Sequence, residues 1–163
     1  MALNISHAFR QAVGLGIIAG MRTFMAPAVV SHLYSRHPSQ RLKDTQVKFI
    51  QSITTSKVFK VLAAGELVGD KLPTAPNRTS APGLIGRVLS GAFAGAVVYK
   101  AEGNNPVTGG IVGGAAALAS TFGCFFLRTE IDKKKVVPDA IIGACEDVLA
   151  ITIGSNIAKS KLV

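Results

Sequence analysis

A nearly unbroken apolar run, Gly14 to Tyr34 (GLGIIAGMRTFMAPAVVSHLY), restricts this chain more than any other feature. About 20 apolar residues, rising about 1.5 Å each, cover the roughly 30 Å hydrocarbon core of a bilayer, so the run is long enough to span one. Yet Arg22 and Thr23 sit in its middle, and Pro27 follows. A charge at the centre of a span costs about 2.5–3.5 kcal/mol on insertion scales, while each Leu or Ile offsets only about 0.3–0.6. The run therefore calls for a countercharge elsewhere in the chain. Pro27 lacks a donor and clashes with the preceding turn, which predicts a kink or break over Arg22 to Ala26.

The rest of the chain fits a membrane setting. Its 163 residues are 48% hydrophobic and 17% charged, with 17 glycines. Soluble domains carry about 25% charged residues, and small residues are what close helix packing in lipid needs. The expected fold is all-α, a polytopic membrane helix bundle forming a single domain over residues 1–163. About five segments are expected, at 12–34, 58–72, 82–100, 106–127 and 136–158. In residues 40–55, Val47, Ile50 and Ile53 recur every third position, which predicts an amphipathic interfacial helix. Segment 58–72 is short for a span and carries Glu66 and Asp70, so four spans plus a re-entrant half-helix is the alternative. Gly91 and Gly95, then Gly109, Gly110, Gly113 and Gly114, form GxxxG pairs suited to helix contacts and to a homo-oligomer.

A net charge of +9 would suggest nucleic acid in a soluble protein. Here the basic residues cluster between apolar runs, at Arg36 to Lys60 and Lys133 to Lys135. Anionic lipid headgroups are the better partner, and no nucleic-acid motif is present. With five spans the basic residues nearly balance across the two sides, leaving orientation and dual topology open. The polar start MALNISHAFRQ leads into the first run without a small-residue cleavage site, so no cleaved signal peptide is expected. The stretch GLGIIAG with the later AAGEL is similar to GGIVGGA with the later GACED. In a five-span arrangement these would form an inverted repeat, a layout common in secondary transporters.

Buried ionisable residues in membrane segments pair with one another or line a pathway. The candidate substrate- or ion-binding set is Arg22, Thr23, Glu66, Asp70, Arg78, Arg87, Glu146 and Asp147, with Asp139 a further carboxylate in the last span. Glu66 and Asp70, four residues apart, share a helix face. Asp147 falls on the small-residue face with Gly143, Ala150 and Gly154, which predicts a helix contact and leaves Glu146 the freer group. Arg22 is expected to neutralise Glu66 and Glu146. Cys124, Cys145, His7, His32 and His37 lack ligand spacing, so no metal or cofactor is expected. No nucleophile motif, P-loop or dinucleotide fingerprint appears, so catalysis is not expected.

Three stretches carry a family resemblance: GMRTFMAPAVVSH (20–32), GELVGDKLPTAPNRTSAPGLIGRVLSGAFAGA (65–96) and CEDVLAI (145–151). Together the chain resembles the membrane-protein family called domain of unknown function 4126. That resemblance implies a small bacterial inner-membrane protein and carries no activity with it. Two functions remain in view. One is a transporter or channel-like protein for an ion or small anionic solute. The other is a non-transporting lipid-binding or scaffolding protein whose buried charges are structural.

Overall fold

The computed structural model describes residues 7–69, 81–134 and 139–159. They form α1 (His7–Met21), α2 (Met25–Arg36), α3 (Gln40–Lys43), a 3-10 turn (Gln46–Gln51), α4 (Ile53–Gly69), α5 (Ala81–Glu102), α6 (Pro106–Lys134) and α7 (Asp139–Lys159). No strand occurs among the described residues. Three helices are long and apolar enough to cross a membrane: Ala81–Glu102, Pro106–Ile131 and Ile141–Lys159.

The centre of the bundle is α1, packed against α5, α6 and α7. Glycine sets these spacings, because helix backbones touch where side chains are absent. A Cβ on Gly16 would lie 2.6 Å from the Ala116 Cβ, and one on Gly20 would lie 2.7 Å from the Ser120 Cβ. Between α5 and α6, Gly95 meets Gly109 and Gly91 meets Gly113. The Gly91/Gly95 and Gly109/Gly113 faces are thus used within one chain, while Gly110 and Gly114 line a cleft beside Ala92.

The first apolar run folds back on itself. Gly14 lies on Ile157 and Ile153, Ile18 on Gly154, and Arg22 on Asp147, so α1 runs antiparallel to α7. Val29 also packs on Gly154, and Arg36 shares a cleft with Lys159, so α2 runs parallel to α7. The chain enters along α1, turns over at Arg22 to Phe24, and leaves along α2 at the end where it entered. His7 bonds Glu102 at that end, and Ser39 Oγ donates to the Ala101 carbonyl there. In place of one continuous helix over 12–34, the chain forms a helical hairpin. Its tip lies roughly 22 Å along α1, at about 1.5 Å per residue.

The helix α4 lies antiparallel to α2, with Lys60 opposite His32 and Glu66 opposite Thr23 and Phe24. It starts at the entry end and passes the level of the tip. Two further corrections follow. The amphipathic stretch 40–55 is three pieces, because Thr45 and Ser52 take extended dihedrals. A recurrence every three residues matches 3-10 geometry, in which positions i and i+3 eclipse. Ile50 is buried, Phe49 stacks on Phe93 of α5, and Ile53 is exposed at the start of α4. The inverted repeat also fails. Gly16 and Gly20 meet Gly113 and Ala117, so α1 and α6 run parallel from the same end.

Candidate functional site

The break between α1 and α2 exposes backbone, and the site is built around it. The Arg22 N–H closes α1 on the Ile18 carbonyl at 2.7 Å. Next, the Thr23 and Phe24 N–H groups donate to the two oxygens of Glu66, at 2.7 and 2.8 Å. A carboxylate at the start of α2 also suits the positive end of that helix. Pro27 falls in the first turn of α2, where a missing donor costs little. The break therefore precedes the proline.

The carbonyls on the other side of the break are met by hydroxyls. Ser90 Oγ of α5 donates to the Thr23 carbonyl. Thr121 Oγ1 of α6 shares its proton between the Gly20 carbonyl at 3.1 Å and the Ala117 carbonyl of its own helix at 2.8 Å, and Ser120 Oγ donates to Ile17 at 2.9 Å. Buried backbone groups without water need such partners, and here they come from three other helices.

Arg22 is buried, at 2% exposure. Its Nε and Nη2 both donate to Asp147 Oδ1, at 2.8 and 2.6 Å. The expected partners Glu66 and Glu146 are thus replaced by Asp147, because Glu66 is taken by the backbone. Glu146 is not a free group either. It is buried, and one of its oxygens lies 3.8 Å from Arg128 Nη2. Arg87 is buried on α5 one turn before Ser90, and neighbouring Gly86 faces Thr23. Of the eight candidate residues, the structure gathers Arg22, Thr23, Glu66 and Asp147 at the break, with Arg87 beside it. Glu146 turns to another face, and Asp70 and Arg78 lie outside the described residues.

Ser90, Thr121 and Arg128 were missed in the sequence. Small hydroxyls in Gly/Ala-rich helices carry no signal of their own. Arg128 reads as the start of a charged connector, yet α6 continues through it to Lys134. The absence of Gly or Pro in Arg128 to Lys134 is the signal that could have shown this. Five of the best-formed clefts lined by described residues have none of Arg22, Thr23, Glu66, Arg87, Glu146 or Asp147 in their walls.

An all-α bundle with apolar helices of spanning length, a broken helix and buried ion pairs defines a membrane-type helical protein. Within that class, the chain belongs to the family described as "Domain of unknown function (DUF4126)", which matches residues 10–157. No curated protein matches the chain, and no solved structure does.

Proposed function

We propose that this chain is a non-transporting, lipid-embedded membrane protein whose buried charges hold a broken helix in place. In this proposal α4 to α7 cross the bilayer and the α1–α2 hairpin dips in from one side. The observation that carries it is pairing: the Arg22 guanidinium is held by Asp147, and both Glu66 oxygens are held by backbone N–H groups at the break.

The hairpin also supports an orientation. Because α1 and α2 share an end, Arg10 joins Arg36, Arg41, Lys43, Lys48, Lys57, Lys60, Lys100 and Lys159 there. Among the described residues only Asp44 and Glu102 oppose them at that end. The positive-inside rule places this end in the cytoplasm, resting on anionic headgroups of a bacterial inner membrane. The Gly91/Gly95 and Gly109/Gly113 faces are used internally, so close helix docking of a second copy is left to the Gly110/Gly114 face, which lines an open cleft.

A specific observation keeps transport as a second proposal. Helices broken inside the membrane are where many transporters bind solutes, and the Glu66 carboxylate sits where an anion would cap α2. Reconstituted vesicles separate the two. The structural role predicts no saturable flux of anions, cations or protons, with Glu66→Gln and Arg22→Met lowering only thermal stability. A saturable flux that Glu66→Gln abolishes at unchanged stability would establish transport instead.

A further inference from the structure

A second site lies apart from the break. Between α2, α4 and α7 opens a cleft of about 440 Å³, within the size range of small-molecule sites. Its inner wall is apolar, made by Met25, Ala28 and Val29 of α2 with Ala150 and Gly154 of α7. Gly154 lets α7 pack closely on α2 at the cleft floor, where an added Cβ would sit 2.8 Å from Val29 Cγ2. Toward the basic end the lining changes to His32, Arg36, His37, Lys60 and Lys159. No carboxylate lines the cleft among the described residues.

We infer that this cleft binds an anionic phospholipid, with the phosphate on the Arg36–Lys60–Lys159 rim and one acyl chain along the Ala28–Val29–Gly154 wall. Charge complementarity and the order of the lining carry the assignment. Along both α2 and α7, apolar positions precede cationic ones toward the same end, as an acyl chain precedes its headgroup phosphate. Free phosphate would use the rim and leave the wall empty. The Lys60 ammonium lies 2.9 Å from His32 Nδ1. Lysine only donates, so Nδ1 must accept, which leaves the His32 Nε2–H as a further donor for phosphate oxygen. The cationic groups project from three separate helices, so a bound lipid would tie α4 and α7 to the hairpin.

The assignment rests on the lipid-embedded function proposed above. Its test uses the full chain in neutral detergent, with phosphatidylglycerol, phosphatidylcholine or inorganic phosphate added. Retention is read by native mass spectrometry and stability by thermal unfolding. Phosphatidylglycerol is expected to be retained and to raise Tm, with phosphatidylcholine and phosphate giving neither. Arg36→Gln with Lys60→Gln removes two contacts and should weaken retention roughly 30-fold, at about fivefold per basic residue. Ser155→Trp, at an exposed cleft position, should block retention while every charge is kept. Equal phosphatidylglycerol binding by wild type and both variants would overturn this site and leave the structural function standing. A Tm rise with inorganic phosphate alone would overturn the lipid in favour of a small anion. Saturable solute flux would count against the function proposed above whatever the lipid result.

Discussion

The Arg22–Asp147 pair gives a prediction with a magnitude. Arg22 is 2% exposed, and two of its nitrogens converge on one oxygen of Asp147. Removing one member of a buried pair strands the other charge and costs about 3–5 kcal/mol. Arg22→Met should therefore destabilise the protein by that amount, since it leaves Asp147 facing an apolar side chain. Asp147→Leu should cost a similar amount. The double variant removes both charges and replaces them with packing side chains, so it should recover to within about 1–2 kcal/mol of wild type. The predicted coupling then exceeds about 3 kcal/mol, well above the roughly 0.5 kcal/mol seen between independent sites. Arg22→Lys keeps the charge but not the two-nitrogen approach, and should fall between wild type and Arg22→Met. The assay is equilibrium unfolding in mixed micelles, followed by far-ultraviolet circular dichroism, since the chain has no tryptophan. Additive single and double variants would refute the reasoning, because the charges would then be solvated independently.

Three further outcomes are expected. Glu66→Gln offers one acceptor oxygen for two N–H groups, so it should cost about 1.5–3 kcal/mol in the same unfolding assay. Gly91→Ala puts a methyl 2.6 Å from the Gly113 carbonyl and should lose about 1–3 kcal/mol, whereas Gly65→Ala meets nothing within 4 Å and should be near neutral. In a background lacking Cys124 and Cys145, Arg10→Cys and Lys43→Cys should react with an impermeant thiol reagent from the same side of the membrane and Lys133→Cys from the other. Labelling of Arg10→Cys from the Lys133 side would refute the re-entrant hairpin.

Much of this was legible in the residues. The all-α membrane class follows from apolar runs and low charge, and the break near Arg22 follows from a central arginine ahead of Pro27. The helix contact at Asp147 is readable from Gly143, Ala150 and Gly154 on one face. What could not be read is the return of the chain. A through-going span and a hairpin both need an apolar run, and they differ only in what satisfies the backbone at the turn. Here those partners are Glu66, Ser90 and Thr121, none of them local. Nor could the sequence choose among carboxylates for Arg22. The choice is made by geometry, since Glu66 faces the freed N–H groups and Asp147 faces the guanidinium.

The hairpin has a consequence for how the protein is made. Ribosomes release the chain from its N-terminus, yet Glu66 follows Thr23 by 43 residues and Asp147 follows Arg22 by 125. Its docking faces on α5 and α6 are also made later. If the hairpin is embedded as proposed, its packing is completed only after α7 has emerged, and a chain stopped ahead of α7 would leave Arg22 without Asp147.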